Sequence, residues 1–300
     1  PFKDKIYSSN LCVAPETLLL TKQGHVPISE LCGNNVEIWN GTEWSNVEVV
    51  KTSDNTELIT VTTDCGFSLD CTPYHKFYVV TNYNGGVIEK RAWELKTGDK
   101  LIKLETPVFQ GTEVLKSPYE NGFFSGDGCY ADGYSRIYLY GAKRKLLDKF
   151  NNKRNVISQD EQDRDYFVVD DLCRKFFVPD ATFTVDSRIK WLAGLLDADG
   201  CVVKCNDSQT IQLVSVEKEF LKEIQLMLQT LGVQSKVTFA CNEGYKELPA
   251  NDGTLGKKEY LCRSADRLLI AGSGIQQLMQ LGIEFHRLDL TTHRPNRDAS

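Results

Sequence analysis

The chain has 300 residues, 41% of them hydrophobic and 25% charged, ordinary globular values that exclude wholesale disorder and collagen-like repeats. That length is a prior for two domains rather than one. A net charge of −6 gives no global attraction for nucleic acid or an anionic membrane, so any such binding must rest on basic residues gathered locally.

No apolar run is long enough to span a bilayer, and the opening Pro1-Phe2-Lys3-Asp4-Lys5 is no signal peptide. Ten cysteines are scattered without a Cys-x-x-Cys pair, which argues against a disulfide scaffold or a zinc knuckle. The expected setting is intracellular and reducing, with no membrane partner. Without an initiating methionine, the chain reads as an excised or internal piece.

From residue 12 to about 105 the pattern is β-rich. Thr17–Thr21 and His25–Ile28 flank a Lys22-Gln23-Gly24 turn, and Val36–Trp39 and Glu43–Thr52 flank Asn40-Gly41, a strong hairpin dipeptide. Glu57–Thr63 and Phe67–Cys71 flank Asp64-Cys65-Gly66, and Lys76–Thr81 is a further β-branched, aromatic run. From about Pro107 helical and extended stretches alternate, with amphipathic helices expected over Lys143–Phe150 and Glu217–Leu231.

The second part repeats itself. Asn121-Gly122-Phe123-Phe124-Ser125-Gly126-Asp127-Gly128-Cys129 aligns with Ala193-Gly194-Leu195-Leu196-Asp197-Ala198-Asp199-Gly200-Cys201. Each copy continues into an extended stretch, Ile137–Tyr140 and Thr210–Val214, and then a helical pattern. Gly122 and Gly126 in one copy, and Gly194 and Ala198 in the other, are small residues four apart on one helical face. Such a face lets two helices cross with their backbones close together. The acid one step beyond each seam, Asp127 or Asp199, is then expected beside its counterpart at a pseudo-two-fold axis. Two such carboxylates repel unless they share a proton or bind a cation. With oxygen donors alone, the expected ion is Mg²⁺, able to activate water and stabilise a leaving oxygen in phosphodiester hydrolysis.

Trp191-Leu192-Ala193-Gly194-Leu195-Leu196-Asp197-Ala198-Asp199-Gly200 resembles the signature of the LAGLIDADG homing endonucleases, differing from it only at Leu196. Gly122–Gly128 resembles a weaker first copy. The resemblance implies a pseudo-symmetric αββαββα core whose sheets enter the DNA major groove. It also implies metal-dependent double-strand cleavage, with Asp127 and Asp199 as catalytic metal ligands.

Cys12-Val13-Ala14-Pro15-Glu16-Thr17 resembles the first block of an intein, although Glu16 stands where Asp is more usual. Thr72-Pro73-Tyr74-His75 resembles the TxxH block, and Ala92–Asp99 resembles the stretch that precedes an inserted endonuclease. This second resemblance makes Cys12 the nucleophile toward the Leu11 carbonyl. A Cys thiolate is the best side-chain nucleophile near neutral pH. His75 has the working range of an acid/base, and Thr72 can hydrogen-bond the scissile peptide or the oxyanion. His25, His286 and His293 are expected at the surface. Ile6–Cys12 resembles a segment of ribonucleotide reductase large subunits, a frequent intein host.

The expected fold is therefore α+β: an incomplete all-β Hint-type splicing unit joined to a LAGLIDADG domain. The expected order is a host (N-extein) remnant at 1–11, the splicing unit at 12–106, the endonuclease at 107–290 and a returning linker at 291–300. Thr292-His293-Arg294-Pro295-Asn296 does not match the His-Asn ending of an intein, so this fragment is expected not to ligate its exteins. The expected partners are double-stranded DNA at a long asymmetric site and the host exteins, with the chain a monomer. The alternative is a degenerate LAGLIDADG nucleic-acid binder, or an inert insert in an autoprocessing domain.

Lysines that the endonuclease family carries near its scissile phosphates align near Leu139 and Leu213, neither basic, with Lys143, Lys204 and Lys236 nearby. Between Arg136 and Arg154 seven basic side chains face one acid, Asp148, a local charge of +6. Arg136, Lys143, Arg144, Lys145 and Lys149 of this run are the candidate phosphate contacts. The acids of Asp160–Asp165 are read as a loop remote from DNA.

Overall fold

Turn chemistry sets the strand pairs of the N-terminal part. In the computed structural model, which describes residues 12–81, 85–205, 208–249 and 256–290, β1 (Leu18–Thr21) and β2 (Gly24–Pro27) pair with Thr21 opposite Gly24. Gly24 has φ +104°, and Thr21 Oγ1 donates to its carbonyl at 2.9 Å. β3 (Asn35–Trp39) and β4 (Trp44–Glu48) pair around a four-residue loop rather than a two-residue turn. There Asn40 Oδ1 accepts the backbone N–H groups of Thr42 and Glu43, both at 2.9 Å, an Asx turn that widens the loop. β4 ends at Glu48, short of the expected Thr52.

β5 (Ile59–Thr62) pairs with β6 (Ser68–Cys71), and β7 (Lys76–Val80) lies between β8 (Val87–Arg91) and β9 (Lys100–Leu101). The described residues up to Pro107 form strands and 3-10 turns and no α-helix. Compactness divides the chain between Pro107 and Val108. The first unit has a thin interior of such residues as Leu20, Cys71 and Val79, while Tyr78, Val87 and Ile88 stay exposed. Both extended hydrophobic clusters belong to the second unit.

The second unit repeats one topology. The first copy runs α1 (Pro118–Asp127), β10 (Gly128–Ala131), β11 (Tyr134–Tyr140), a 3-10 segment (Gly141–Lys149), β12 (Lys153–Gln159) and β13 (Arg164–Val169). The second runs α2 (Val185–Asp199), β14 (Gly200–Cys205), β15 (Ser208–Ser215), α3 (Lys218–Gln229), β16 (Lys236–Cys241), a ribbon of β17 (Gly244–Pro249) and β18 (Lys257–Cys262), β19 (Ala265–Ile270) and α4 (Gly272–Gln280). The sheets have equivalent orders, β10-β11-β13-β12 and β14-β15-β19-β16. The second copy thus follows αββαββα with an added ribbon.

The first copy departs from it: the helix expected over Lys143–Phe150 is a 3-10 segment. Its start at Gly141 has φ +53°, and the tighter winding rises about 2.0 Å per residue against 1.5 Å for an α-helix. Nine residues can therefore span the connection while Leu146 and Phe150 still reach the core.

Period-two burial gives each sheet a packed face. Ile137, Leu139 and Phe167 join Phe123, Phe124 and Phe150 in one core, and Ile211, Leu213, Leu268 and Ile270 join Leu192, Leu195 and Leu221 in the other. Thr184 caps α2, its hydroxyl accepting the Ser187 backbone N–H at 3.2 Å. Residues 1–11 and 291–300, expected as host remnant and linker, lie outside the described residues.

Candidate endonuclease and processing sites

Small residues bring α1 and α2 together. A methyl group added at Gly122 would sit 1.8 Å from the Trp191 carbonyl oxygen, and one at Gly194 2.0 Å from that of Tyr119. One at Gly126 would lie 2.6 Å from Ala198 Cβ and 3.0 Å from Asp199 Oδ2. Both helices terminate at this seam, on Asp127 and Asp199, with Gly128 and Gly200 as C-caps.

The two carboxylates differ in setting. Asp127 is partly buried and pairs with Lys143 Nζ at 2.5 Å. Burial raises its pKa above the usual carboxylate range, Lys143 opposes that, and the negative charge of Asp199 adds to it. Asp199 is exposed, and its carboxylate has no hydrogen-bond or ion-pair partner among the described residues.

A cation lies behind each helix end, where the last carbonyls concentrate negative charge. Lys175 Nζ donates to the carbonyls of Gly126 at 3.3 Å and Gly128 at 2.5 Å. Arg287 donates to the repeat-equivalent carbonyls of Ala198, at 3.4 Å, and Gly200, and also to Leu196 at 2.9 Å and to Asp197. Asp197 itself is fully buried. Its carboxylate accepts the backbone N–H groups of His286 (2.8 Å), Arg287 (2.9 Å) and Leu288 (3.3 Å), and the Tyr119 hydroxyl (3.0 Å). Burial and the Asp197 charge push the Tyr119 phenol far up, so it stays a donor.

Leu139 and Leu213 are buried against the helices, at strand positions that face away from the open sheet surfaces. The basic groups come from elsewhere: Lys143 from the 3-10 segment, Lys175 and Arg287 from stretches that follow each sheet. Lys204 lies 3.9 Å from Asp289 and not on Asp199.

Four of the seven basic side chains between Arg136 and Arg154 pair with carboxylates within the fold: Lys143 as above, and three arginines. Arg136 pairs with Asp132 (2.9 Å), Arg154 with Asp170 (2.5 Å), and Arg144 with Asp160 (2.5 Å), Asp163 (3.3 Å) and Asp165 (3.0 Å). The reason is topological: antiparallel pairing of β11 with β13 folds the acidic loop onto the 3-10 segment. Lys145 and Lys149 remain exposed, with no ion pair among the described residues.

In the first unit Cys12, Thr72 and His75 are linked through the chain. The Cys12 backbone N–H donates to Thr72 Oγ1 at 3.1 Å, and the Thr72 N–H donates to the Cys12 carbonyl at 2.9 Å. The His75 N–H donates to the Thr72 carbonyl at 2.9 Å, closing the turn through Pro73. Cys12 Sγ lies 2.9 Å from the hydroxyl of Thr52, a neighbour no motif pointed to. His75 Nδ1 is buried without a hydrogen-bond partner among the described residues, and burial lowers the imidazole pKa. Leu11, the expected point of attack, and His293 lie outside the described residues. His286 is exposed, its ring centroid 5.4 Å from that of Tyr119, and His25 is half-buried. All ten cysteines are free, and no described helix is long and apolar enough to cross a membrane.

Residues 186–277 match the family model of a LAGLIDADG-like domain. The chain is similar to the ribonucleoside-diphosphate reductase large subunit of Invertebrate iridescent virus 6, 39% identical over 310 residues that cover 98% of this chain and 32% of that protein. Similarity extends to the ribonucleoside-diphosphate reductase NrdEB subunit alpha of Bacillus subtilis (strain 168), at 27% identity over 95% of this chain and 31% of that one. The chain therefore spans about a third of the length of these relatives. Among solved structures, mesophilic variants of the homing endonuclease I-DmoI overlap at a TM-score of 0.34 and 16% identity, covering 57% of this chain and 96% of theirs. The second unit contains a LAGLIDADG-like domain.

Proposed function

We propose that the second unit is a site-specific, Mg²⁺-dependent endonuclease that breaks both strands of duplex DNA. We further propose that it is carried inside a protein-splicing element of a ribonucleotide reductase large subunit. The observation that carries the first reading is the delivery of Asp127 and Asp199 to one end of a glycine-lined helix crossing.

The donor set fits the ion. Both carboxylates are hard oxygen donors, and no group of three or more His, Cys, Asp or Glu forms among the described residues. Mg²⁺ favours such sites, bound through one or two carboxylates while it keeps waters and substrate phosphate oxygens. Bound there, it would supply an activated water and neutralise charge on the scissile phosphate. Asp127 and Asp199 would hold the ion. Lys143 balances the buried charge of Asp127, and Lys175 and Arg287 fix the helix ends from which both acids project. The two equivalent sheets, each following its motif helix, suit the two halves of a long DNA site.

In the first unit, Cys12 acts on the Leu11 carbonyl and Thr72 holds the Cys12 backbone. His75, kept neutral by burial, takes the Cys12 thiol proton as the Sγ–Leu11 carbonyl carbon bond forms and returns it to the Cys12 nitrogen as the Leu11–Cys12 amide bond breaks.

Incubation with Mg²⁺ and a supercoiled plasmid carrying the uninterrupted reductase gene tests the endonuclease reading. A single linear product is expected; an intact plasmid that still binds the protein points to a binding module instead. Mass spectrometry with added thiol tests the processing reading, through release of residues 1–11.

A further inference from the structure

The backbone of Cys12 is fixed by β6 and the turn that follows it. Val13 bridges to Cys71 in antiparallel register, and the Ala14 N–H donates to the Asp70 carbonyl at 2.9 Å. The Cys12 N–H donates to the Thr72 hydroxyl at 3.1 Å, and the Cys12 carbonyl accepts the Thr72 N–H at 2.9 Å. None of these bonds reaches the Cys12 side chain. Among the described residues the sulfur has one hydrogen-bond partner, the Thr52 hydroxyl at 2.9 Å.

Thr52 arrives there because the chain leaves the sheet of β3 and β4 early. Val49 is the last residue that sheet holds: its side chain is buried, its N–H donates to the Asn34 carbonyl at 3.1 Å and its carbonyl accepts the Gly33 N–H at 2.7 Å. Beyond Val49 local bonds close the chain on either side of Thr52. Lys51 pairs with Asp54, and Ser53 Oγ accepts the Asn55 N–H at 3.2 Å. An exposed threonine hydroxyl can be satisfied by water alone, yet this one is turned onto the sulfur.

On the reading that Cys12 attacks the Leu11 carbonyl, we propose that Thr52 is a positioning residue that holds the Cys12 sulfur in its attacking rotamer. A cysteine side chain left free moves among three staggered wells, and attack needs the sulfur aligned on the carbonyl carbon. A hydroxyl can both accept and donate, so Thr52 can stay bonded to the sulfur through the step. It accepts the S–H of the resting thiol, and it donates to the sulfur once His75 has taken that proton. The Sγ–carbon bond then forms, the Leu11–Cys12 amide bond breaks, and His75 passes the proton to the Cys12 nitrogen. Thr52 keeps its own proton throughout.

The test uses the whole chain, dithiothreitol as the added thiol, and mass spectrometry to time the release of residues 1–11. Thr52→Val keeps the side-chain shape and removes the hydroxyl, and Thr52→Ser restores the hydroxyl. Release is expected to slow roughly fivefold in Thr52→Val, the weight of one ordinary hydrogen bond, and to return to the parental rate in Thr52→Ser. Urea unfolding checks that the variants keep the parental midpoint; should Thr52→Val shift it, Thr52→Ala is compared with Thr52→Ser in the same way. A Thr52→Val rate equal to the parent's overturns the proposal and leaves the processing reading standing. A Thr52→Ser rate as slow as that of Thr52→Val overturns it too, because the role would then be one of shape. A parent chain that releases nothing overturns the processing reading itself, and the role of Thr52 with it.

Discussion

Asp197 and Arg287 hold each other at the end of the second motif helix. The Asp197 carboxylate accepts the Arg287 backbone N–H at 2.9 Å, and the Arg287 guanidinium caps the Leu196 carbonyl at 2.9 Å. The conspicuous acid pair of this motif therefore divides its labour: Asp197 anchors a distant segment, and Asp199 is left exposed one turn-end beyond it. Asp197→Ala leaves three backbone N–H groups and the Tyr119 hydroxyl without their acceptor. It is expected to cost about 3 kcal/mol of stability, since unpaired buried donors are expensive. Urea denaturation followed by tryptophan fluorescence measures this; parental stability would show that Asp197 is no clamp.

The crossing of α1 and α2 leaves no room at its glycines. Gly122→Ala and Gly194→Ala each drive a methyl into a carbonyl oxygen of the facing helix, so the helices must separate. Each substitution is expected to destabilise the second unit by about 3 kcal/mol, the upper end of ordinary overpacking, because backbone cannot rotate out of the way. Calorimetry should show a lower Tm for the second unit; an unchanged Tm would contradict the close approach.

Lys143 neutralises Asp127 at 2.5 Å. Lys143→Met is expected to tighten Mg²⁺ binding, because a competing cation is removed, and to slow cleavage roughly 10- to 100-fold as charge stabilisation near the phosphate is lost. Metal titration alongside single-turnover cleavage separates the two effects. Equal weakening of both would point to a merely structural lysine.

His75 makes stability depend on pH in the first unit. Burial lowers its pKa in the folded state below the ordinary 6.5, so the unfolded chain binds the extra proton first as pH falls. Its contribution is complete above pH 6.5 and is lost as pH drops through the folded value. His75→Gln is expected to flatten this acid limb in equilibrium unfolding between neutral and mildly acid pH; an unaltered limb would assign the dependence to other groups.

What was legible in the sequence is what short-range spacing encodes. Small residues four apart, followed by an acid and repeated once, specify a helix crossing and the two carboxylates at its end. Lys175 and Arg287 escaped that reading because they reach Gly128 and Gly200 from 47 and 87 residues downstream, with no motif around them. The partners of the basic run were hidden for a related reason. Its local charge was visible, but the pairing of β11 with β13 that folds Asp160, Asp163 and Asp165 over Arg144 was not. The stacking of Tyr138 on Tyr166 was equally hidden, since the two rings meet only across paired strands. At Asn40-Gly41 the dipeptide correctly marked a hairpin, while the Asn40 side chain set a longer loop than the dipeptide alone suggests.

The proposed metal-dependent DNA-cutting site stands on Asp127 and Asp199 acting together. The most direct measurement is cleavage of a plasmid bearing the uninterrupted reductase gene by the parent chain, Asp127→Asn and Asp199→Asn, with and without Mg²⁺. Linear product is expected from the parent only with Mg²⁺, and each variant is expected to lose linearisation while it retains DNA binding. Cleavage that persists without metal, or that survives both substitutions, would contradict it.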